Sequence, residues 1–352
     1  MPQTNAFGAP AADQPLASLA IERREPGPRD VAIEILYCGV CHSDLHTARG
    51  EWGQQKWPIV PGHEIVGRVG AVGGEVEGFA VGDLAGVGCM VDSCRTCSSC
   101  AEGLEQYCER VPTFTYGGVE KETGRMTHGG YSQAVVVDQD FVLHISADVD
   151  LAATAPLLCA GITTYSPLRY WNVDADSKVG VVGLGGLGHM AVKIAKAMGA
   201  EVTLFTTSPG KADDARALGA TNVVISTDAD AMAAARRTLD FIIDTVAAPH
   251  GLDAYLGALR RDGSLVLVGV PPTPHPSPGV VGLIGARRSI GGSNIGGIAE
   301  TQEMLDFCAE HGVTSEVEMI SMEQIDAAYD RMLAGDVKFR FVIDMESMPA
   351  AA

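Results

Sequence analysis

Four cysteines lie close together in one short stretch of the chain. Their spacing, C-x2-C-x2-C-x7-C, groups Cys94, Cys97, Cys100 and Cys108. Four thiolates suit a structural zinc ion, because Zn²⁺ has no geometric preference of its own and four soft ligands close its tetrahedral shell. A closed site of this kind holds a lobe in shape and does no chemistry. The run therefore predicts a structural zinc and places the reactive groups elsewhere.

Two other uses of these cysteines compete with zinc. Disulfide frameworks are typical of small secreted domains, whereas this chain has 352 residues, 46% of them hydrophobic. Iron–sulfur proteins also use C-x2-C-x2-C, but in the ferredoxin run the fourth cysteine follows after three residues and precedes proline. Here the gap is seven residues and Glu109 follows. Zinc is the better match of the three.

A second group of metal donors is spread along the chain. Cys41 lies in GVCHSDLH, His63 in PGHE and Cys159 in LLCAG. Two cysteines and a histidine make a zinc site whose fourth position stays open for water or substrate. The spacing alone does not bring them together, and a cysteine in an apolar segment is most often a small core residue.

A glycine-rich segment predicts a dinucleotide site. It reads G-x-G-x-x-G, follows the apolar strand predicted over 179–182, and opens a helix predicted over about 189–198. Glycines at these positions permit a tight turn and close approach of the pyrophosphate to the helix N-terminus. The residues concerned are Gly183, Leu184, Gly185, Gly186, Leu187 and Gly188.

The residues after the next predicted strand, 201–205, favour NADP over NAD. NAD enzymes usually place an acidic side chain there, whereas a 2′-phosphate needs hydroxyls and a cation. Asp213 or Asp214 is the alternative, and would supply the acid of an NAD enzyme. The predicted phosphate ligands are Thr206, Thr207, Ser208 and Lys211.

The order of predicted elements indicates two domains. Short β-prone runs separated by glycine, over about 31–145, predict a barrel-like lobe. A helical stretch and then alternating strands and helices predict a parallel α/β sheet. The chain closes with the strand FRFVIDM, which we expect to return to the first lobe.

Charge and hydropathy narrow the possible partners. A net charge of −19 disfavours a phosphate backbone, so we expect no nucleic acid partner. The N-terminal stretch has no basic segment followed by an apolar one, and no apolar run is long enough to cross a bilayer. We expect a cytoplasmic protein without a membrane partner.

The motifs GVCHSDLH, PGHEIVGRV, the four-cysteine run, LLCAGITTYSPL and GLGGLGHMAVK occur in this order. In that combination the chain resembles the zinc-dependent medium-chain alcohol dehydrogenases, in particular the cinnamyl-alcohol-dehydrogenase-like branch with its bacterial NADP-dependent aldehyde reductases. The resemblance implies an α/β protein with a GroES-like β-barrel catalytic domain over 1–155 and 294–352. It also implies a Rossmann-type NADP-binding domain with a parallel sheet over 156–293, and a cleft between the two.

The resemblance also implies roles for single residues. Cys41, His63 and Cys159 match the catalytic zinc ligands, and Glu64 matches a carboxylate that approaches the metal during ligand exchange. Asp44 matches the carboxylate that orients the ligand histidine. Ser43 and His46 match a proton relay to solvent. The positions that line the nicotinamide are Thr245, Gly269, Ser293, Asn294 and Ile295.

The function implied is NADP(H)-linked interconversion of primary alcohols and aldehydes with two Zn²⁺ per chain. Hydride would pass from C4 of NADPH to a zinc-bound aldehyde, as in a broad aldehyde reductase. The resemblance also implies a homo-oligomer, either a dimer or a tetramer. Trp52 and Trp57 are candidates for an apolar substrate wall, with ordinary packing as the alternative. An NAD-dependent or polyol dehydrogenase and a non-catalytic NADPH-binding sensor are the competing functions.

Overall fold

The computed structural model describes residues 3–12, 14–53 and 56–350. The strands, in chain order, are β1 Gln3–Gly8, β2 Ala17–Glu22, β3 Asp30–Gly39, β4 Ile65–Val72, β5 Leu84–Val87, β6 Met90–Asp92, β7 Thr113–Phe114, β8 Ala134–Asp138, β9 Leu143–His144, β10 Lys178–Val182, β11 Glu201–Thr206, β12 Asn222–Ile225, β13 Leu239–Asp244, β14 Leu259–Leu267, β15 Ser289–Gly292, β16 Val317–Ser321 and β17 Arg340–Asp344. The α-helices are α1 His42–Ala48, α2 Ser98–Ala101, α3 Leu151–Thr154, α4 Ala160–Tyr170, α5 Gly186–Ala197, α6 Ala212–Ala217, α7 Ala229–Ala234, α8 Asp253–Ala258, α9 Val280–Ile284, α10 Ile298–His311 and α11 Ile325–Leu333.

The chain divides into two compact units, one of residues 1–159 with 296–352 and one of residues 160–295. The second unit contains a six-stranded sheet in the order β12-β11-β10-β13-β14-β15, with all neighbouring strands parallel. Its central strands are almost continuously apolar because helices cover both faces of such a sheet. This strand order is that of a doubly wound dinucleotide fold, as the glycine motif predicts.

The first unit is built on a seven-stranded sheet in the order β16-β17-β3-β4-β5-β9, with β8 also paired to β3. Apart from the parallel pair β16 and β17, its strand pairs are antiparallel. Strand β17 contains most of the segment FRFVIDM and pairs with β3. The prediction that the last strand returns to the first lobe is therefore confirmed.

Strand β3 is the centre of this sheet because it has β17, β4 and β8 as partners. Val31, Ile33 and Ile35 alternate along it and are buried, whereas Glu34 between them is exposed. This alternation is that of a strand with one face on the core.

No single helix of the described residues has the length and apolar character needed to cross a membrane. Two helical segments meet that test of length and composition only as a bent pair, Leu151–Leu158 with Ala160–Tyr170, at an angle of 57°.

We predict that Ile33→Ala destabilises the first unit by about 2–5 kcal/mol, because it leaves a cavity in a closed core. Glu34→Ala on the opposite face of β3 is the matched control, with an expected change within about 0.5 kcal/mol. Urea unfolding followed by circular dichroism measures both. Equal midpoints for the two variants would contradict the assigned faces of β3.

Candidate active site and metal centres

The four cysteines of the run converge on one point in the first unit. Their sulfur atoms all lie within 4.8 Å of one another. The Sγ of Cys94 is 3.9 Å from that of Cys100, and the Sγ of Cys97 is 3.4 Å from the same atom. Ligands 2.3 Å from a tetrahedral zinc are about 3.8 Å apart, so this arrangement fits the ion. The sulfurs are too far apart for disulfide bonds.

Backbone groups of the same loop prepare these sulfurs for a metal. The backbone N–H of Cys97 donates to the Sγ of Cys94 at 3.3 Å, and the N–H of Cys94 donates to the Sγ of Cys108 at 3.4 Å. Hydrogen bonds from the backbone of Thr96 and Cys97 lower the pKa of Cys94 to about 6. Donors of this kind favour the thiolate, which is the form that binds zinc.

A second cluster of donors in the first unit contains Cys41, His63, Glu64 and Cys159. All four side chains are buried, and their ligand atoms lie within 4.8 Å of one another. The Sγ atoms of Cys41 and Cys159 are 3.9 Å apart, which is again the separation of two zinc-bound sulfurs. The hydrogen bond shared by this pair lowers the pKa of Cys41 well below its usual value and raises that of Cys159.

Irregular backbone next to regular elements positions these donors. Cys41 is the residue before α1, His63 comes just before β4, and Cys159 separates a 3₁₀ helix, Ala155–Leu158, from α4. Cys159 lies in the segment AATAPLLCAGITTYSPLRYW, the helical stretch that the sequence predicts between the two lobes. The structure breaks it at that residue, which has φ −128° and ψ −66°.

The buried carboxylate of Asp44 holds the cluster in place. Its Oδ2 accepts from the backbone N–H of Cys41 at 2.8 Å. Its Oδ1 accepts from the N–H of Gly62 at 2.9 Å and lies 3.1 Å from Nδ1 of His63. The imidazole therefore donates from Nδ1 and turns Nε2 toward the thiols, the arrangement in which histidine binds a metal.

Gly62 is required where it lies. Its φ is +102°, in the left-handed region. A Cβ there would lie 2.7 Å from the Tyr131 ring and 2.8 Å from the Sγ of Cys38. The glycine thus lets the chain pass close enough for its N–H to reach Asp44.

Burial and the neighbouring charge of Asp44 shift the pKa of His63 in opposite directions. Burial alone would lower its pKa, but the negative charge of Asp44 and the hydrogen bond to it raise the pKa well above the usual value. The negative charge of Asp44 therefore favours a positive charge on this ring, and a metal cation bound at Nε2 would be favoured for the same reason.

Glu64 pairs with an arginine that the sequence analysis did not identify. Its Oε1 accepts a hydrogen bond from Nη2 of Arg340, the first residue of β17, and both side chains are buried. The other oxygen, Oε2, is buried without a hydrogen-bond partner among the described residues. Glu64 thus has one hydrogen-bonded oxygen and one oxygen without a partner among the described residues, next to two thiols and an imidazole. This arrangement suits the binding of a cation.

The predicted dinucleotide loop connects β10 to α5 in the second unit. Gly183 has φ +89°, and a Cβ on Gly188 would lie 2.1 Å from the carbonyl oxygen of Gly183. Only glycine permits this close contact between turn and helix. Gly185 is the N-cap residue of α5, Gly186 is its first residue, and Leu184 is buried.

The residues predicted to hold the 2′-phosphate follow directly. Thr206 is the last residue of β11, and its Oγ1 accepts from the N–H of Ser208 at 3.1 Å. The Nζ of Lys211 donates to the carbonyl oxygen of Leu184 at 3.1 Å, so the lysine lies beside the glycine loop. Asp213 is almost fully exposed and pairs with Arg216.

The residues predicted to line the nicotinamide lie at the carboxyl ends of neighbouring strands. Thr245 follows β13 and donates from Oγ1 to the carbonyl oxygen of Val182 at 2.7 Å. A Cβ on Gly269 would lie 2.5 Å from the carbonyl oxygen of Val246. Ser293 follows β15, and its N–H donates to Leu267 at 3.2 Å. Beyond Asn294, Ile295 has φ +39°, an unusual value for a β-branched residue.

Comparison with known proteins agrees with both units. The model of the alcohol dehydrogenase GroES-like domain matches residues 27–147, and that of the zinc-binding dehydrogenase matches residues 186–310. The chain is 60% identical to aldehyde reductase YahK of Escherichia coli over 344 residues, 97% of this chain and 98% of that protein. The chain belongs to the zinc-dependent medium-chain alcohol dehydrogenases.

Two further relatives define the branch. NADP-dependent alcohol dehydrogenase C of Mycobacterium tuberculosis is 52% identical over 343 residues, 97% of this chain and 99% of that protein. A solved cinnamyl alcohol dehydrogenase of Sorghum bicolor superposes with a TM-score of 0.95 at 45% identity, covering 99% of this chain and all of that one. This alcohol dehydrogenase is of the cinnamyl-alcohol-dehydrogenase-like branch, and its predicted fold class is confirmed.

The two residues of the predicted proton relay lie on α1 of the dehydrogenase, and each side chain has a different polar neighbour. Ser43 Oγ is 3.6 Å from the Sγ of Cys41. His46 Nδ1 is instead 2.5 Å from a carboxylate oxygen of Glu51. In the part of the chain that the structure describes, no hydrogen bond joins Ser43 to His46.

The two tryptophans differ in setting. Trp52 is 45% exposed and stacks on the His46 ring at 5.2 Å between centroids. Trp57 is half-buried. Trp52 thus packs against the predicted relay histidine, a contact that the pocket prediction did not include.

Several residues around the cluster of Cys41, His63, Glu64 and Cys159 were not predicted from the sequence. Arg340 lies on a strand remote in sequence, and Cys89 shares a hydrogen bond with Cys159. Tyr131 donates to Asp44 at 3.4 Å. Nothing in their local sequence distinguishes them from core residues, because their role depends on which strands become neighbours.

We predict that the two clusters respond differently to loss of one cysteine. Cys100→Ser should lose one zinc per chain and unfold at a lower temperature, because the metal closes its loop. Cys159→Ser should stay folded but lose about a thousandfold in turnover, since it lacks the open metal site. Metal analysis, thermal unfolding and aldehyde reduction measure these effects.

Cys308→Ala is the control for loss of a buried thiol outside both clusters. It should keep the metal content of the wild type. A Cys159→Ser protein with full turnover would contradict the assignment of the open site.

Proposed function

We propose that this alcohol dehydrogenase reduces a broad range of aldehydes with NADPH, and oxidises the matching primary alcohols in reverse. The observation that carries the proposal is the buried cluster of Cys41, His63 and Cys159, completed by the unpaired oxygen of Glu64. Aldehyde reductase YahK and NADP-dependent alcohol dehydrogenase C, similar over nearly their whole lengths, support it. These ligands argue against a non-catalytic sensor.

The preference for NADPH rests on charge at the end of β11. Hydroxyls of Thr206, Thr207 and Ser208 precede Lys211, whose ammonium group lies beside the glycine loop. These are the groups that a 2′-phosphate needs, and a carboxylate there would repel it. Asp213 is turned to solvent, where Arg216 pairs with it, so of the two alternative acids, Asp213 and Asp214, the first gives an NAD enzyme less support.

The chain divides the chemical work among a few residues. Cys41, His63 and Cys159 would hold the zinc ion, which would supply Lewis-acid polarisation of the substrate oxygen, and the nicotinamide would supply or accept the hydride. Asp44 holds His63 in the tautomer that directs Nε2 toward the ion. Burial of all these groups keeps bulk water from the reacting centre.

Ser43 and His46 carry the proton in this proposal. The Ser43 hydroxyl lies beside the Cys41 ligand atom, where it can exchange a proton with a bound oxygen. His46 is a suitable final acceptor because its ring is partly exposed to solvent and imidazole is the side chain best suited to exchange protons near neutral pH. Since no hydrogen bond joins the two side chains among the described residues, we propose that a hydroxyl or a water bridges them.

We also propose a cytoplasmic homo-oligomer with the predicted domain limits, 1–155 and 294–352 for the catalytic domain and 156–293 for the NADP-binding domain. Nine cysteines outside disulfide bonds and two sites built on thiols suit a reducing compartment. Strand β15 is an edge strand, and Val280, Val281 and Ile284 on α9 are exposed. An exposed apolar helix and an edge strand, consecutive in the chain, each suit contact with a second copy.

An aldehyde panel with NADPH and NADH, run beside metal analysis, tests the proposed function. We expect two zincs per chain and a clear preference for NADPH. Lys211→Ala should raise the KM for NADPH by about 10- to 150-fold, because one charge-assisted bond to the phosphate is worth roughly 1.5–3 kcal/mol. The KM for NADH should change little.

Arg216→Ala is the matched control, since this nearby cation already pairs with Asp213. If it weakened NADPH binding as much as Lys211→Ala, the assignment of Lys211 would fail. Equal use of NADH and NADPH by the wild type would overturn the cofactor preference.

Ser43→Ala should lower turnover by about 10²–10⁴-fold, the usual contribution of a positioned proton donor or acceptor. Its zinc content and Kd for NADPH should stay as in the wild type. Ser43→Thr keeps the hydroxyl and should recover most of the rate. An unchanged rate constant in Ser43→Ala would exclude this serine from the relay.

A further inference from the structure

A third group of metal donors lies in the second unit, separate from both cysteine clusters. It consists of Asp244, His250 and His275, and one donor atom from each lies within 4.8 Å of the others. Asp244 ends β13, His250 lies in the loop before α8, and His275 lies in the loop after β14. The zinc sites assigned above use none of these residues.

The contact between Asp244 and His250 brings two acceptors together. The Nδ1 of His250 is 2.9 Å from the carbonyl oxygen of Ala248, which can only accept, so Nδ1 carries the proton. In the neutral ring, Nε2 then carries a lone pair and can only accept a hydrogen bond. It lies 2.9 Å from Oδ2 of Asp244, and both atoms are buried without a satisfactory hydrogen bond among the described residues. A positive charge between them removes the repulsion.

The carboxylate is fixed so that this oxygen faces the histidines. Oδ1 of Asp244 accepts from the N–H of Val246 at 3.1 Å, and the side chain is only 1% exposed. Burying a carboxylate without a counter-charge is costly. A bound cation provides that counter-charge.

His275 completes the group from the other side. Its Nδ1 is 3.2 Å from the carbonyl oxygen of His250, and the two rings meet edge to face at 4.8 Å. The same Nδ1 also lies 3.2 Å from the backbone nitrogen of His250, whose N–H donates to it in the other tautomer. In the tautomer in which Nδ1 carries the proton and donates to the carbonyl oxygen, Nε2 is left as a ligand, which is the usual arrangement of a metal-bound histidine. Both histidines are only half-buried, so an ion can enter past them.

We propose that Asp244, His250 and His275 form a third metal site, for a divalent transition-metal ion such as Zn²⁺ or Co²⁺. Two imidazoles and one carboxylate are donors that such ions prefer, and they leave further positions for water. Ligands about 2.1 Å from an ion and at right angles to one another are roughly 3.0 Å apart, which agrees with the contact between Asp244 and His250.

Titration of the zinc-loaded enzyme with Co²⁺ tests the site, with calorimetry and absorption spectroscopy as measurements. We expect one further ion per chain, with weak visible bands and without the near-ultraviolet sulfur-to-cobalt transition of a thiolate site. His250→Gln and His275→Gln should each weaken this binding by about tenfold or more. The zinc already bound should stay in place.

His311→Gln removes an exposed histidine on α10 and is the control, with binding as in the wild type. Circular dichroism of each variant verifies folding, and Asp244→Asn gives an independent test that keeps the shape of the side chain. No further ion in the wild type would mean that a proton shared by Asp244 and His250 satisfies the pair, and would overturn the proposal. Unchanged binding in both histidine variants, or a thiolate spectrum with release of zinc, would also overturn it.

Discussion

The catalytic half of this dehydrogenase depends on one buried carboxylate, that of Asp44. A fully buried negative charge is tolerated only where donors surround it. Here the donors are the backbone of Cys41 and Gly62 and the ring of His63. These contacts of Asp44 therefore fix the start of helix α1 and the loop before β4, and they align two of the proposed zinc ligands. The site is ordered because Asp44 must be satisfied.

The two cysteine clusters obtain their geometry in different ways. In the first, the four residues lie within one short segment between β6 and β7, and backbone N–H groups of that segment point at the sulfurs. In the second, Cys41 and Cys159 are separated by 118 positions in the sequence and meet only because the sheet brings their segments together. A locally closed set suits a structural ion, whereas a set held by distant elements leaves room for an exchangeable ligand.

In the second unit, the strand order concentrates function at one edge of the sheet. Strands β10, β11 and β13 are neighbours and parallel, so their carboxyl ends lie side by side. The glycine loop, Thr206 and Thr245 all follow from this arrangement. Asp244 lies at the same edge, and the proposed third metal site therefore has the same topological origin as the dinucleotide site.

Much of this protein can be inferred from the order of its residues, because the informative patterns are local. The cysteine spacing, the glycine motif after an apolar strand, and the hydroxyls and lysine after the next one each express a short-range geometric rule. The pairing of Glu64 with Arg340, the break of the helix at Cys159, the separation of Ser43 from His46 and the grouping of Asp244 with two histidines follow no such rule. They arise from strand pairing and loop packing between distant segments, and the burial that makes these contacts strong exists only in the folded chain.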